Sequence, residues 1–382
     1  MLLEENKPLA HYTTFGIGGP ARWFAEAANE DEIVEATEWA RELGVALFVL
    51  GGGSNLLVSD AGFDGLVLRV GLRGFIAGPI GDEGRSLGGL REEHTGGIKA
   101  QTYRVAAGED WDCFVEKTVE DGCAGLECLA GIPGTVGGTP VQNVGAYGQE
   151  VASVIERVRA FDLEERAFVE FPAAECCFGY RRSRFNSTDR GRYIVTRVDY
   201  RLTPGGAPTL RYAELQRAIL ESRPDGVGPS LAEVAEVVRF VRQSKGMLLV
   251  DGEPDCRSAG SFFKNPVVNE EQVRRIAECS GKEPPRFPAG VGAENAGRVK
   301  VPAAWLIEQA GFRKGYALGA AAISSRHTLA LVNLGAHGGL GAHAGHGGAS
   351  AAEILALAAQ ITNAVEARFG ICLEMEPVMV GF

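Results

Sequence analysis

Three stretches of this chain carry residue types able to hold an anion or a flat polar group. The first is Gly51-Gly52-Gly53-Ser54-Asn55, set between the apolar runs Val45–Leu50 and Leu56-Leu57-Val58. A Gly-x-Gly-x-x-Gly opening a helix and a Gly-Lys-Ser/Thr phosphate loop are both absent from it. What it offers is a strand–loop–strand turn whose successive backbone N–H groups can point at one anion. Ser54 and Asn55 add side-chain donors. The alternative is a hairpin-like turn with no ligand. The second stretch is Leu129–Gly148, which contains Gly131, Ile132, Pro133, Gly134, Gly138, Gly145, Ala146 and Tyr147. It has too many glycines for a helix and too few polar residues for a solvated linker. Loops of this length inside a compact domain are usually functional. A bound, flat, polar cofactor could satisfy its buried backbone groups; a structural loop on a sheet edge is the bland alternative. The third is Tyr180-Arg181-Arg182-Ser183-Arg184-Phe185, preceded by Phe178. Guanidinium groups clamp carboxylate or phosphate with two hydrogen bonds. Three arginines in four residues also suit a solvated surface.

The elements that must position these stretches follow from periodicity and end signals. A helix is expected from about Asp31 to Leu43, with Ile33, Thr37, Ala40 and Leu43 inward and Gly44 as its stop. Strands follow at Val45–Leu50, Val67–Val70 and Tyr103–Ala107. Asp110 caps a helix from Trp111 to about Glu120. Alternating apolar runs give strands at Val158–Phe161, Phe168–Phe171 and Tyr193–Arg201. Helices are expected at about Tyr212–Glu221, from Ser230 with Glu233 as box partner to Gln243, and from Asn269 to Cys279. Another starts at Pro302 and stops at Gly311, and Leu329–Asn333 reads as a strand. Ser350 and Glu353 open a long amphipathic helix through Ile354, Leu357, Ile361 and Val365, closed by Gly370. Residues 76–99 read as an exposed Gly-rich insertion, and 335–349 as a low-complexity loop holding three of the six histidines. Without Cys or acidic ligands nearby, no metal site is expected there.

Composition narrows the class. A chain of 382 residues suggests two or three domains. Its net charge of −11 argues against a general nucleic-acid or membrane-surface binder but leaves room for a local basic pocket. The 52 glycines are roughly twice the usual share. Eight cysteines show no metal spacing and read as reduced thiols of a cytosolic protein, mostly buried. The N-terminal residues lack a signal-peptide apolar core, and no run is long enough to span a bilayer.

The ordered set Thr13–Ala21, Gly51–Val58, Gly131–Gly148, Tyr180–Phe185, Ala259–Pro266 and Leu373–Gly381 resembles the UDP-N-acetylenolpyruvoylglucosamine reductases. The Gly131–Gly148 loop together with Gly-Ser-Phe-Phe-Lys-Asn-Pro is the most specific part. Pro-Val-Gln-Asn-Val-Gly-Ala-Tyr-Gly and the tyrosine of Leu210-Arg211-Tyr212 resemble the subclass whose tyrosine loop covers the substrate (type I). The departures are the insertions at 76–99 and 335–349 and the doubled Arg181-Arg182, of which the motif position selects Arg181. The resemblance implies an α+β fold, the FAD-binding fold of the vanillyl-alcohol-oxidase/PCMH type with two α+β subdomains, plus a C-terminal α+β substrate-binding domain. The implied bounds are 1–72, 73–243 and 244–370, with 371–382 returning to the active site.

The resemblance also implies chemistry. FAD is expected to be held non-covalently by Gly51 to Asn55 and by Gly131, Ile132, Pro133, Gly134, Gly138, Gly145, Ala146 and Tyr147. NADPH is the expected hydride donor, and the enolpyruvyl ether of a UDP sugar the acceptor, giving UDP-N-acetylmuramate for peptidoglycan. Arg181 is expected on the substrate carboxylate, Ser261 as proton donor to C2, and Glu376 beside them, with Glu374 as the competing acid. Tyr180, Tyr212, Lys245 and Asn265 are expected on the UDP sugar. A cytoplasmic monomer with no nucleic-acid or membrane partner completes the expectation. A flavin oxidase of the same fold and a nucleotide-binding regulator are the competing readings.

Overall fold

The computed structural model describes residues 1–78, 100–222, 228–253, 255–289, 296–335 and 348–382. The chain divides into two compact units. One is Met1–Ala25, Glu38–Arg69 and Arg242–Phe382; the other is Glu26–Thr37 and Val70–Val241.

The first unit contains a four-stranded sheet in the order Leu3–Pro8, Pro20–Ala27, Phe63–Val70, Ala46–Leu50. Its first pair is antiparallel and its last pair parallel. The parallel pair, Ala46–Leu50 and Phe63–Val70, is joined through residues 51–62, which hold the glycine turn and the short strand Leu56–Val58. The helix Glu30–Glu42 is the helix between Pro20–Ala27 and Ala46–Leu50, and its buried face carries Ile33, Ala36, Thr37 and Ala40. Leu43, expected on that face, lies past the last helical residue and is 58% exposed. Gly44 follows with φ 65°, a conformation that ends a helix cheaply only at glycine.

The C-terminal part of this unit is built on the helix Ala351–Phe369. Ile354, Leu357, Ile361 and Val365 pack with Phe15, Leu57, Phe262 and Phe263 in one buried cluster. Ser350 and Glu353 form the expected capping box, and Gly370 closes the helix at φ 69°. Asp60 adds a second cap, accepting from Ala351 N at 2.8 Å and Ala352 N at 3.1 Å. A carboxylate there meets the free N–H groups and the positive end of the helix. The expected helix at Pro302 begins one residue later, as Ala303–Gln309. Pro302 is its N-cap with ψ 123° and has no side-chain donor or acceptor; Asn265 Oδ1 accepts from Ala303 N instead, at 2.9 Å. The last strand, Val378–Val380, runs parallel to Leu56–Val58, which brings the chain's end back to the glycine turn.

The second unit is organised by an antiparallel path Ala167–Pro172, Ile155–Asp162, Tyr193–Pro204, Gln101–Ala106, Phe75–Ala77. Alternation puts Tyr103, Val105, Val198 and Tyr200 in the core, where Tyr103 and Tyr200 meet Phe114 of the helix Trp111–Glu120. Cross-strand ion pairs link Arg157 and Arg197 to Glu170, and Arg104 to Asp199; along its own strand Arg197 also pairs with Asp199. Phe75–Ala77 corrects the expectation that an irregular insertion starts at residue 76: these residues form the edge strand. Residues 79–99, and the histidine tract within 336–347, lie outside the described residues.

All eight cysteines are free, and four of them are exposed, Cys113, Cys177, Cys279 and Cys372, so "mostly buried" is corrected to half. Among the described residues no group of His, Cys, Asp or Glu could hold a metal ion, and no helix is long and apolar enough to cross a membrane.

Candidate active site

In the first unit the glycine turn is not a hairpin. The strands on either side of it pair elsewhere, Ala46–Leu50 with Phe63–Val70 and Leu56–Val58 with Val378–Val380. Gly53 has φ 65°, and a Cβ there would lie 1.7 Å from the Tyr12 carbonyl oxygen, so no other residue fits. Thr14 anchors the turn: its N–H donates to Gly53 O at 3.2 Å. Its hydroxyl donates to Ser258 O at 2.6 Å. Among the described residues the backbone N–H groups of Gly52, Gly53 and Ser54 donate to no protein acceptor. Consecutive, undirected N–H groups on a rigid turn are the donor set that a diphosphate takes. The turn therefore fits the phosphate end of a dinucleotide such as FAD.

The same unit ties this turn to Ser261 and the terminal acids. Asn55 Nδ2 donates to the Glu376 carbonyl at 3.3 Å, and Val378 N donates to Asn55 O at 2.9 Å. Glu376 N donates to Phe262 O, and Lys264 N to Glu374 O, each at 2.9 Å. Ser261 thus adjoins the rung that Glu376 occupies. The two acids are separated by their surroundings. The Glu374 carboxylate pairs with Lys264 and its side chain is 71% exposed, whereas Glu376 is partly buried. Asn265 uses its carbonyl as the cap of helix Ala303–Gln309, which leaves its amide nitrogen as the group able to meet a ligand. Lys245 follows the helix Leu231–Ser244, its N–H bonded to Arg242 O at 3.1 Å.

In the second unit the long loop is stapled to the arginine turn. Asn143 Nδ2 donates to Gly179 O at 3.0 Å, Ser183 Oγ to Val141 O at 2.5 Å, and Arg181 Nη1 to Gly145 O at 3.0 Å. Gly131 N donates to Asp112 Oδ1 at 2.6 Å, and Gly134 O accepts from Trp111 N at 3.1 Å. Ile132 and Pro133 between them are half-buried. Gly145–Ala146 pairs with Gln149–Glu150. A Cβ on Gly138 would meet nothing within 4 Å, so that glycine borders open space rather than packing. Asn143, Tyr147 and Arg181 hold φ of 46°, 50° and 53°. Left-handed backbone at non-glycine residues costs energy and gathers where a site is preformed. Arg181 lies 5.7 Å from the Tyr180 ring centroid and is half-buried; Arg182 is exposed. Tyr147 and Tyr212 meet edge to face at 5.7 Å and 83°. Burial first, then the nearby Glu214, pushes the Tyr212 phenol up, so it stays a neutral donor at neutral pH.

Each unit thus gathers its own share of the expected residues: Gly51 to Asn55, Ser261, Asn265 and Glu376 in one, the Gly131–Gly148 loop, Tyr180, Arg181 and Tyr212 in the other. Sequence reading gave no role to the polar residues that hold these loops, namely Thr14, Asn143 and Ser183. Thr14 and Asn143 each stand inside a glycine-rich stretch, and Ser183 between two arginines.

Comparison with known proteins identifies the domains. Residues 21–165 match the FAD binding domain family model. Residues 253–380 match the C-terminal domain of UDP-N-acetylenolpyruvoylglucosamine reductase. The matched domains define an FAD-containing oxidoreductase, α+β, with an FAD-binding domain and a C-terminal domain. Its relatives include the UDP-N-acetylenolpyruvoylglucosamine reductase of Thermobifida fusca, 43% identical over 98% of this chain and 97% of that one. That of Streptomyces coelicolor is 42% identical over 98% and 89%. The crystal structure of the reductase from Thermus caldophilus matches with a TM-score of 0.60 at 26% identity, over 99% of this chain and 100% of that one. The chain belongs to the UDP-N-acetylenolpyruvoylglucosamine reductase family.

Proposed function

We propose that this protein reduces the enolpyruvyl ether of UDP-N-acetylglucosamine to UDP-N-acetylmuramate, with NADPH as donor and non-covalent FAD, in cytoplasmic peptidoglycan precursor synthesis. The observation that carries this reading is the tie between the glycine turn, the segment that carries Ser261 and Glu376 within one unit. We assign residues 1–72 and 73–243 to flavin binding, 244–370 to the UDP sugar and 371–382 to the returning segment.

Held by the glycine turn Gly51–Asn55 and the Gly131–Gly148 loop, FAD would supply the hydride chemistry that links NADPH to the enolpyruvyl C3. The rest falls to side chains. Negative charge develops at C2 and on the carboxylate, and stabilising developing charge is where an enzyme gains most. Arg181, half-buried and planar, holds that carboxylate. Ser261 gives its proton to C2, which requires a strongly basic carbon and a dry site, because a serine hydroxyl is a weak acid. Glu376 orients the reacting end. Tyr180, Tyr212, Lys245 and Asn265 hold the diphosphate and sugar.

The test is Ser261→Ala in the two half-reactions. NADPH reduction of the flavin is expected to stay near wild type, because that step needs no proton at C2. Reoxidation by the UDP sugar is expected to fall on the order of 100-fold or more. Equal damage to both half-reactions would mean that Ser261 is structural.

A further inference from the structure

We propose that Glu127 is a positioning residue for Tyr212, acting through Thr209. Glu127 is 0% exposed and none of the assigned roles uses it. Three N–H donors converge on its carboxylate. Gln149 Nε2 and Thr209 N each donate to Oε1 at 2.7 Å, and Gly125 N donates to Oε2 at 2.8 Å. The Gln149 carbonyl in turn accepts from Cys128 N at 2.8 Å. The neighbouring Cys128 thiol donates to Thr209 O at 3.1 Å. Both backbone groups of Thr209 are therefore held by adjacent residues of the short helical turn Glu127–Leu129.

Thr209 is the anchored point that precedes Tyr212. The segment from Pro204 leads through it to Leu210 and Arg211, and Gln216 Nε2 returns to Leu210 O at 2.6 Å. The Tyr212 ring then meets Tyr147 on the long loop. Gln149, two residues past Tyr147, is bonded to the same carboxylate. Glu127 therefore sets the spacing between the two stretches of chain that carry the aromatic pair. A buried carboxylate is costly unless its lone-pair directions are met, so such a group tolerates little movement of its donors. That rigidity suits a hinge point for a tyrosine that closes on ligand. The consequence for catalysis rests on the proposed placement of Tyr212 on the UDP sugar.

The experiment uses the full-length holoenzyme and reads amide hydrogen exchange together with half-reaction kinetics. In Glu127→Gln, exchange at Thr209 and through Gln216 is expected to rise about tenfold or more, the loss of one charge-assisted bond. Exchange in the strands Ile155–Asp162 and Tyr193–Pro204 is expected to stay unchanged. The apparent KM for the UDP sugar is expected to rise about tenfold, while NADPH reduction of the flavin changes less than about twofold. Cys128→Ala is expected to show the same pattern more weakly, and Cys128→Ser to restore it, because a hydroxyl keeps the donor to Thr209 O. Unchanged exchange at Thr209, increased exchange spread over the strands, or locally raised exchange with an unaltered KM each overturns the proposal. If the UDP sugar fails to reoxidise the wild-type flavin, the activity reading falls instead, and the exchange pattern alone decides whether Glu127 is the anchor.

Discussion

The glycine turn of the first unit and the Gly-rich loop of the other unit have similar compositions and are built by opposite means. In the turn, glycine answers a steric demand: Gly53 sits so close to Tyr12 O that no Cβ fits. Its backbone donors remain undirected, a donor set that fits an anion. In the loop, shape comes from side chains. Asn143, Ser183 and Arg181 bond backbone carbonyls of the loop and of the arginine turn, and two of the loop's left-handed residues, Asn143 and Tyr147, are not glycine. Gly138 faces open space. Glycine therefore answers close packing at Gly53 and borders open space at Gly138.

The largest effect that separates these modes is at Gly53. Gly53→Ala puts a methyl against backbone and strains φ, so a loss of about 3 kcal/mol or more is expected, with flavin lost too. Chemical denaturation of the apoprotein checks it; a stable, flavin-free variant would mean that the turn deforms easily. Asn143→Ala comes next. It removes donors to Gly179 O and Glu150 and the acceptor for Ala152 N, and about 2–4 kcal/mol is expected. The loss should be accompanied by slower flavin reoxidation, since the Arg181 turn is released. Gly138→Ala should invert the Gly53 result, with stability within about 1 kcal/mol of wild type and weaker FAD binding. Unaltered FAD affinity would remove Gly138 from the cofactor contacts.

The smallest effect is one of pH and belongs to the second unit. Burial raises the Glu30 carboxyl, but hydrogen bonds from Arg159 and Thr196 more than offset it and hold it below the usual range. Asp162 is also held low: burial is outweighed by Arg192 and by the N–H groups of Glu165 and Glu164. A carboxylate whose folded value is depressed adds stability above its unfolded value, and that stability is lost as pH falls through the folded value. Melting temperature is expected to drop below about pH 4, and Glu30→Gln should flatten that drop. An unchanged slope in that variant would show that the pair with Arg159 contributes nothing net.

What the sequence made legible was local. The Asp110 cap, the Ser350–Glu353 box and the Gly370 stop depend on residues a few positions apart, and each stands where periodicity puts it. What it concealed was non-local polar chemistry. Thr14 reaches Ser258 O, and Asn265 caps a helix whose own N-cap is Pro302. No spacing rule links such partners, because the fold and not the chain brings them together. Leu43 failed for a different reason: periodicity extended the helix one residue too far, to where the chain already turns toward Gly44. The different surroundings of Glu374 and Glu376 were likewise hidden, because Lys264, which pairs with Glu374, lies far from it in the chain.

The most direct measurement is an anaerobic titration of the purified holoenzyme followed by its flavin absorbance. NADPH is expected to bleach the flavin, and one equivalent of the enolpyruvyl UDP sugar per flavin to restore the yellow colour without oxygen. A flavin that NADPH reduces but only oxygen reoxidises would contradict the account and favour an oxidase of the same fold.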